Sequence, residues 1–226
     1  MPNAFCSEAA VLPPTSPASL ASRESLVTHP AYALRVTRII AGFAGSRELK
    51  VPAAGTRPTS DRVREAIFSA LEARDVIVGA AVLDLYAGSG ALALEALSRG
   101  AASAVLVEKN PKAASVAHAN CEIIRRAGNL DAATTKVVSS SVASYLAGAS
   151  QKFDIVFIDP PYDVDNAEVE ASLSALVPLL NDYAEIVLER STRDAQPTWP
   201  AGISLARAKA YGESTIYWLE AEDSAN

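Results

Sequence analysis

The sequence is poor in the residues that cross-link small proteins or bind metals. Its 226 residues include 2 cysteines and 2 histidines, and neither Cys6 nor Cys121 lies in a C-x-x-C or Cys/His pattern. This excludes a disulfide framework and a zinc site, and no metal is predicted. No apolar run approaches the roughly 18–20 residues that would span a membrane. The N-terminus also lacks the basic start of a signal peptide. We therefore expect a cytoplasmic protein without a membrane partner.

Positive charge is also scarce, because 20 Lys and Arg face 26 Asp and Glu, giving a net charge of −6. An acidic total argues against nucleic acid as a partner, since the phosphate backbone attracts basic residues. The charges are unevenly distributed, however: residues 35–64 carry +5 and the remainder −11. Such asymmetry is typical of a phosphate-binding arm, although a run of charge can equally be a solvated face.

Three segments differ in pattern. Residues 1–35 are rich in Ala, Ser and Pro and are predicted to be a flexible tail. Residues 36–78 form a basic extension, predicted as a hairpin followed by a helix from Asp61. Residues 79–222 alternate strands and helices, which is typical of an α/β domain with a parallel sheet. The predicted strands are 80–86, 103–108, 134–138, 153–159 and 184–190; the predicted helices are 90–99, 111–127, 142–148 and 166–180. Two final β-rich runs, 203–212 and 213–221, are expected to pair antiparallel because no crossover helix fits between them.

A glycine loop follows the first strand of the α/β domain. The run Asp84-Leu85-Tyr86-Ala87-Gly88-Ser89-Gly90 leads from this strand into a helix, and the next strand ends at Glu108. Such a loop lets a nucleotide approach the backbone, and a carboxylate at Glu108 can accept hydrogen bonds from ribose hydroxyls. The loop also fits the G-x-G-x-x-A fingerprint of NAD sites. Asp84 favours S-adenosylmethionine instead, because a carboxylate repels pyrophosphate and attracts ammonium and sulfonium groups.

A second motif, Asp159-Pro160-Pro161-Tyr162, follows the fourth strand. Both motifs should open on one pocket at the same edge of the sheet. The Asp159 carboxylate and the Pro160 carbonyl can accept hydrogen bonds from an amino group, and Tyr162 offers a face on which a base can stack. Here the sequence resembles class I S-adenosylmethionine-dependent methyltransferases, in which a [D/N/S]-P-P-[Y/F/W] motif binds an amino nitrogen that accepts the methyl group.

A narrower resemblance covers about residues 36–221. The runs Thr37–Gly42, Gly55–Phe68, Leu83–Gly90, Glu95–Ala101 and Asp159–Tyr162 resemble bacterial 16S ribosomal RNA guanine-N2 methyltransferases. The resemblance implies a Rossmann-like class I fold with a mostly parallel seven-stranded sheet, an antiparallel last strand and a small N-terminal hairpin and helix. It also implies a monomer that methylates N2 of one guanine in 16S RNA, within the small subunit or an assembly intermediate.

The resemblance also implies roles for individual residues. Catalytic residues would be Asp159, Pro160 and Tyr162. The S-adenosylmethionine-binding residues would be Asp84, Tyr86, Gly88, Gly90, Glu108 and Ser141, where Ser141 replaces an acid that many members have after the third strand. The RNA-binding residues would be Arg38, Arg47, Lys50, Arg57, Arg62 and Arg64. Because members of this family usually begin just before Thr37, residues 1–35 are expected to be dispensable, or an artefact of a start assigned upstream. The alternatives are a DNA adenine-N6 methyltransferase and, in another class, an NAD-dependent oxidoreductase.

Overall fold

A computed structural model describes residues 37–52 and 60–223. The predicted tail (1–35) and Arg57 lie outside these ranges. The strands are β1 (Thr37–Arg38), β2 (Glu48–Leu49), β3 (Ala81–Asp84), β4 (Ser103–Glu108), β5 (Thr135–Ser139), β6 (Phe153–Ile158), β7 (Leu180–Ser191), β8 (Ile203–Tyr211) and β9 (Ser214–Ala221). The helices are α1 (Asp61–Ala73), α2 (Ala91–Ser98), α3 (Pro111–Gly128), α4 (Val142–Gly148) and α5 (Asn166–Leu176), and two 3₁₀ turns cover Ala132–Thr134 and Val177–Leu179.

Seven strands form one sheet in the order β5-β4-β3-β6-β7-β9-β8. The first four pairings are parallel, whereas β9 is antiparallel to both of its neighbours. The chain winds from β3 outward to β5 and then returns to place β6 on the other side of β3. Ligands in open α/β sheets bind at such a reversal, beyond the carboxyl ends of the strands. The expected Rossmann-like sheet with one antiparallel strand is confirmed.

Two hydrophobic layers cover the two faces of this sheet. The first contains residues of α1, α2, α3 and the β1–β2 hairpin, and the rings of Phe68 on α1 and Phe157 on β6 lie 5.6 Å apart between their centroids. The second layer is formed with α4 and α5. Strands that are buried on both faces consist of nearly continuous apolar residues, and this pattern is what predicts β4 and β6 from the sequence. None of the helices in the described part of the chain is long and apolar enough to span a bilayer.

The basic extension is fixed to α2 by buried polar side chains. The carboxylate of Glu95 accepts hydrogen bonds from the backbone N–H groups of Ile40 (2.6 Å) and Ala41 (3.0 Å). The Ser98 hydroxyl donates to the carbonyl of Ala41 and accepts from the N–H of Ala44 at 3.0 Å. At Gly42, which has φ +80°, a Cβ would lie 1.8 Å from the Ser98 carbonyl oxygen, so this close approach requires glycine.

The last predicted helix differs from the structure. The sequence predicts a helix over 166–180, but α5 ends at Leu176, a 3₁₀ turn contains Pro178, and β7 begins at Leu180. Proline has no N–H to donate within a helix, and its ring clashes with the carbonyl four residues earlier. The same change lengthens β7, predicted as 184–190, to Leu180–Ser191.

Candidate active site

Asp84 lies at the carboxyl end of β3 and is 1% exposed. Its Oδ2 accepts a long hydrogen bond of 3.4 Å from the N–H of Ala93 in the first turn of α2. The pKa of Asp84 is raised from 3.8 to about 7, mainly by burial and to a lesser extent by the nearby carboxylate of Glu108, while the backbone hydrogen bond from Ala93 opposes the shift. A buried acid with its pKa near neutrality can change charge when a cationic ligand arrives.

Glu108, at the end of β4, organises the glycine loop. Its Oε2 accepts from the N–H of Gly88 at 2.9 Å, and its Oε1 accepts from the N–H of Asn110 at 2.7 Å. Gly88 and Gly90 have φ values of 55° and 81°, in the left-handed region that favours glycine. Each carboxylate oxygen retains a further lone pair, so Glu108 can still accept hydrogen bonds from hydroxyl groups of a ligand.

The D-P-P-Y turn lies at the same edge as the glycine loop. In the sheet, Asp84 is in register with Phe157 of the adjacent strand β6, and Asp159 follows two residues beyond Phe157. Pro160 is buried, and the N–H of Val164 donates to the carbonyl of Pro161 at 3.0 Å, which closes the turn. The Tyr162 side chain is 66% exposed. The structure thus brings the two motifs to one edge of the sheet and leaves the Tyr162 side chain exposed, three residues after Asp159.

Two predicted cofactor residues use their side chains elsewhere. The phenol of Tyr86 packs against the second hydrophobic layer, where burial raises its pKa to about 12. Ser141 caps α4: its hydroxyl accepts from the N–H of Ser144 at 3.2 Å and donates to the Ser144 hydroxyl at 2.8 Å. Ser141 still lies at the same edge as Glu108, because Ser139 at the end of β5 pairs with Glu108.

The predicted RNA-binding residues fall into two groups. Four of them are exposed, namely Arg38, Arg47, Lys50 and Arg62. Arg64 is 1% exposed, and the prediction that it contacts RNA directly is wrong. Its guanidinium donates to the Thr37 hydroxyl (3.0 Å), the Arg38 carbonyl (2.5 Å) and Asp61 (2.9 Å), and burial lowers its pKa. Arg64 therefore joins α1 to the hairpin, which is a structural role.

Sequence reasoning missed Asn120, which is 0% exposed on α3. Its Oδ1 accepts from the N–H of Lys50 at 2.9 Å, and its Nδ2 donates to the carbonyls of Lys50 (2.9 Å) and Ser89 (2.8 Å). One side chain thus connects the basic extension to the middle of the glycine loop. A polar residue among the apolar positions of α3 was the available signal. Glu95 and Ser98, buried in the otherwise apolar α2, give the same signal.

The donor set fits S-adenosylmethionine better than a dinucleotide. The N–H of Gly88, which a pyrophosphate would need, already donates to Glu108. The carboxyl groups of Asp84 and Glu108 contact this loop and the first turn of α2, where a pyrophosphate would add further negative charge. A sulfonium and an ammonium group would instead be attracted to these acids, and the ribose hydroxyls have an acceptor in Glu108.

Comparison with known proteins identifies the family of this chain. A family model described as Conserved hypothetical protein 95 matches residues 37–220. The ribosomal RNA small subunit methyltransferase D of Escherichia coli K12 is 40% identical over 192 residues, which cover 84% of this chain and 93% of the relative. The chain belongs to the ribosomal RNA small subunit methyltransferase D family. The protein is therefore a methyltransferase, as the motifs predicted.

Two further relatives of the methyltransferase D family extend the match. The Haemophilus influenzae protein of the same name is 33% identical over 178 residues, covering 77% of this chain and 89% of the relative. A solved structure of Escherichia coli yhhF has a TM-score of 0.73 at 37% identity and covers 84% of this chain and 99% of that one. Members of this family thus share both halves of the described chain, the extension and the α/β domain.

For this member of the methyltransferase D family, Asp84 should make stability depend on pH. Its folded pKa of about 7 exceeds the ordinary 3.8, so its stabilising effect is complete below pH 4 and is lost as pH rises to about 7. In the cofactor-free protein, Asp84→Asn should remove this loss. Relative to the variant, wild type should lose roughly 2–3 kcal/mol of unfolding free energy between pH 5 and pH 8, measured by urea denaturation. A constant difference between the two proteins across this range would contradict the assignment.

Proposed function

We propose that the protein transfers a methyl group from S-adenosylmethionine to the exocyclic N2 of a guanine in 16S RNA of the small ribosomal subunit. The observation that carries this proposal is the juxtaposition of the Asp84 loop and the D-P-P-Y turn at the ends of adjacent strands β3 and β6. The 40% identical relative is named for small-subunit ribosomal RNA, which supports the substrate class. The amino-binding turn supports an exocyclic nitrogen as the acceptor.

The chemistry requires accurate positioning of a weak nucleophile. When bound, S-adenosylmethionine supplies a methyl group on a sulfonium, which leaves as a neutral thioether. The exocyclic nitrogen of guanine delocalises its lone pair into the ring. Asp159 and the carbonyl of Pro160 can accept hydrogen bonds from its two N–H groups. These hydrogen bonds favour a pyramidal nitrogen with the lone pair directed at the methyl group. After the nitrogen–carbon bond forms, the nitrogen releases one proton, which in this proposal the Asp159 carboxylate accepts.

Binding of the base relies on the exposed aromatic side chain of the turn. The ring of Tyr162 is 66% exposed, so its face is available for stacking on a base that has left its own stack. Gly90, the N-cap of α2, makes no side-chain capping hydrogen bond, so the first-turn N–H groups other than that of Ala93, which donates to Asp84, could bind the cofactor's carboxylate. Gly88, Gly90 and the backbone of Tyr86 belong to the loop that precedes α2, and in this proposal they line the cofactor site.

The exposed cations of the extension would bind the RNA backbone. Arg38, Arg47, Lys50 and Arg62 form this surface in the proposal, and Arg57, for which the sequence predicts the same role, lies outside the described residues. Few phosphate contacts imply modest, salt-sensitive affinity, so recognition would depend on the shape of a ribosomal particle. We propose that the enzyme acts as a monomer in the cytoplasm, on the small subunit or an assembly intermediate.

Methylation of purified RNA and particles tests the function. Small subunits from cells that lack this enzyme, their assembly intermediates and naked 16S RNA would each be incubated with enzyme and isotopically labelled S-adenosylmethionine. Nucleoside mass spectrometry should then find N2-methylguanosine in at least one of the three. Methylated adenine in DNA would support the adenine-N6 alternative, and binding of NAD but not S-adenosylhomocysteine in calorimetry would support an oxidoreductase.

A further inference from the structure

The edge strand β8 carries positive charge on one face. From residue 207 to residue 211 it alternates Arg207 and Lys209 with alanines and ends in Tyr211. Arg207 pairs across the sheet with Trp218, and Lys209 pairs with Ile216, both of which belong to the first hydrophobic layer. The two cations therefore lie on the face of the sheet that carries the first hydrophobic layer, to which α1 also contributes. Both side chains are exposed. We call Arg207 and Lys209 the β8 cations.

The β8 cations lie on the same side of the molecule as the active site. Ile158 of β6 pairs with Leu188 of β7, so the next residues along, Asp159 and Glu189, are also neighbours. Glu189 in turn pairs with Ile216 of β9, and Ile216 pairs with Lys209 of β8. Asp159 and Lys209 thus occupy one row, three strands apart, or roughly 14 Å at the usual strand spacing. Arg62 lies at the N-terminal end of α1, and the buried residues of α1 belong to the first hydrophobic layer.

Aromatic rings hold both cations in place. The guanidinium carbon of Arg207 lies 5.3 Å from the centroid of the Trp218 ring, and the Lys209 ammonium lies 5.0 Å from that of Tyr211. Strand β8 itself has no acidic residue. The acid between Lys209 and Asp159 in the row, Glu189, accepts a hydrogen bond of 2.5 Å from the Ser214 hydroxyl. Cations held by stacking lose little entropy when they bind an anion.

We propose that the β8 cations form a second RNA-binding surface, which contacts the backbone of nucleotides flanking the target guanine. This inference rests on the proposed RNA substrate. Together with the extension, it places positive charge on both sides of the catalytic edge in a chain whose net charge is −6. Phosphate is a partner that such exposed and oriented cations fit. An RNA strand would then be held on both sides of the base that enters the site.

A different role for the same charges is protection of the sheet edge. Beyond β9, strand β8 has no further strand beside it in the described sheet, and exposed edges are often blocked by lysine and other charges. The two roles differ in their consequences. An edge-protecting charge would affect self-association, whereas an RNA contact would affect binding to RNA and its dependence on salt.

The test compares two double variants of equal charge. Arg207→Gln/Lys209→Gln removes the β8 cations. Arg126→Gln/Lys152→Gln removes two exposed cations far from β8, one in the last turn of α3 and one just before β6. Binding of 16S RNA would be measured by filter binding at 50–300 mM salt, and methyl transfer by incorporation kinetics. We expect the β8 variant to bind RNA roughly tenfold more weakly at low salt, with a slope of log K against log salt shallower by about 1–2. Its KM for RNA should rise while kcat and affinity for S-adenosylhomocysteine stay unchanged.

Equal RNA binding by the two double variants would overturn the inference, as would a β8 variant whose only change is concentration-dependent self-association in sedimentation. The wild-type reaction separates this outcome from failure of the proposed function. If wild type methylates the RNA and the β8 variant matches the control, only the second surface is wrong. If wild type neither binds nor methylates the RNA, both the function and the surface are wrong.

Discussion

Replacing Asp159 with asparagine should lower kcat for methyl transfer by roughly 10²–10³-fold, the usual effect of removing one oriented transition-state partner. The amide keeps the size of the carboxylate but has a single acceptor oxygen, and its NH₂ group would face the N–H bonds of the substrate amine. The charge that favours a developing cationic nitrogen is also lost. Affinity for S-adenosylhomocysteine should stay within about twofold, because Asp159 follows β6 whereas the proposed cofactor-binding acids Asp84 and Glu108 end β3 and β4. Single-turnover methylation and calorimetry measure the two quantities.

Asp163→Asn is the matched control for this prediction. Asp163 is an exposed acid four residues further along the same turn, and its neutralisation changes the charge of the loop equally. It should leave kcat within about threefold of wild type. If the two variants lost activity to the same degree, general loop charge rather than a hydrogen bond to the substrate would explain the effect. The assignment of Asp159 as a catalytic residue would then be wrong.

The sequence allowed the sheet and the meeting of the two motifs to be predicted, for a physical reason. Strands buried on both faces are nearly continuous apolar runs, and parallel strands must end at one edge, so any residues that follow them converge. The prediction that Asp84 and Asp159 share a pocket needed only this rule and the order of the strands. Their register across β3 and β6 agrees with it.

The burial and hydrogen-bond partners of individual polar side chains are harder to predict from the sequence. Arg64 stands three residues before Ile67 and four before Phe68, on the buried stripe of α1, yet its charge suggested a surface residue. Its partners in the hairpin are a hydroxyl and a carbonyl, which lie 27 and 26 residues away in the chain, respectively. Ser141 illustrates the same difficulty, because a serine at a helix start is as suitable for capping as for ligand binding. Helical periodicity identifies which face of a helix is buried, but it does not identify the groups that the buried side chains contact.

The contacts of Asn120 link two parts of the enzyme that the sequence presents separately. Three hydrogen bonds from one buried amide hold the backbone of Lys50, in the extension, and the carbonyl of Ser89, between the two glycines of the loop. Glycines give this loop its left-handed turns but also make it costly to order. A fixed contact at Ser89 offsets that freedom. The extension therefore helps to hold the cofactor loop in its shape, besides binding RNA in the proposed function.

Asn120→Ala should lower both stability and cofactor affinity. The change leaves two carbonyls and one N–H without their partner, and unsatisfied buried groups cost about 1–3 kcal/mol each, so we expect a loss of roughly 3–5 kcal/mol in urea denaturation. The freed loop should weaken binding of S-adenosylhomocysteine about tenfold, measured by calorimetry at a temperature where the variant is folded.

Ser98→Ala separates the two effects of Asn120→Ala. The Ser98 hydroxyl makes two hydrogen bonds to the same extension, a buried one with Ala44 and a partly buried one with Ala41, and no hydrogen bond to the glycine loop in the described structure. Its loss should destabilise the fold by about 2–4 kcal/mol and leave affinity for S-adenosylhomocysteine within twofold of wild type. Because both variants weaken the attachment of the extension, only a direct effect on Ser89 can make Asn120→Ala bind the cofactor less well than Ser98→Ala. Equal cofactor affinities in the two variants would show that Asn120 acts through folding alone.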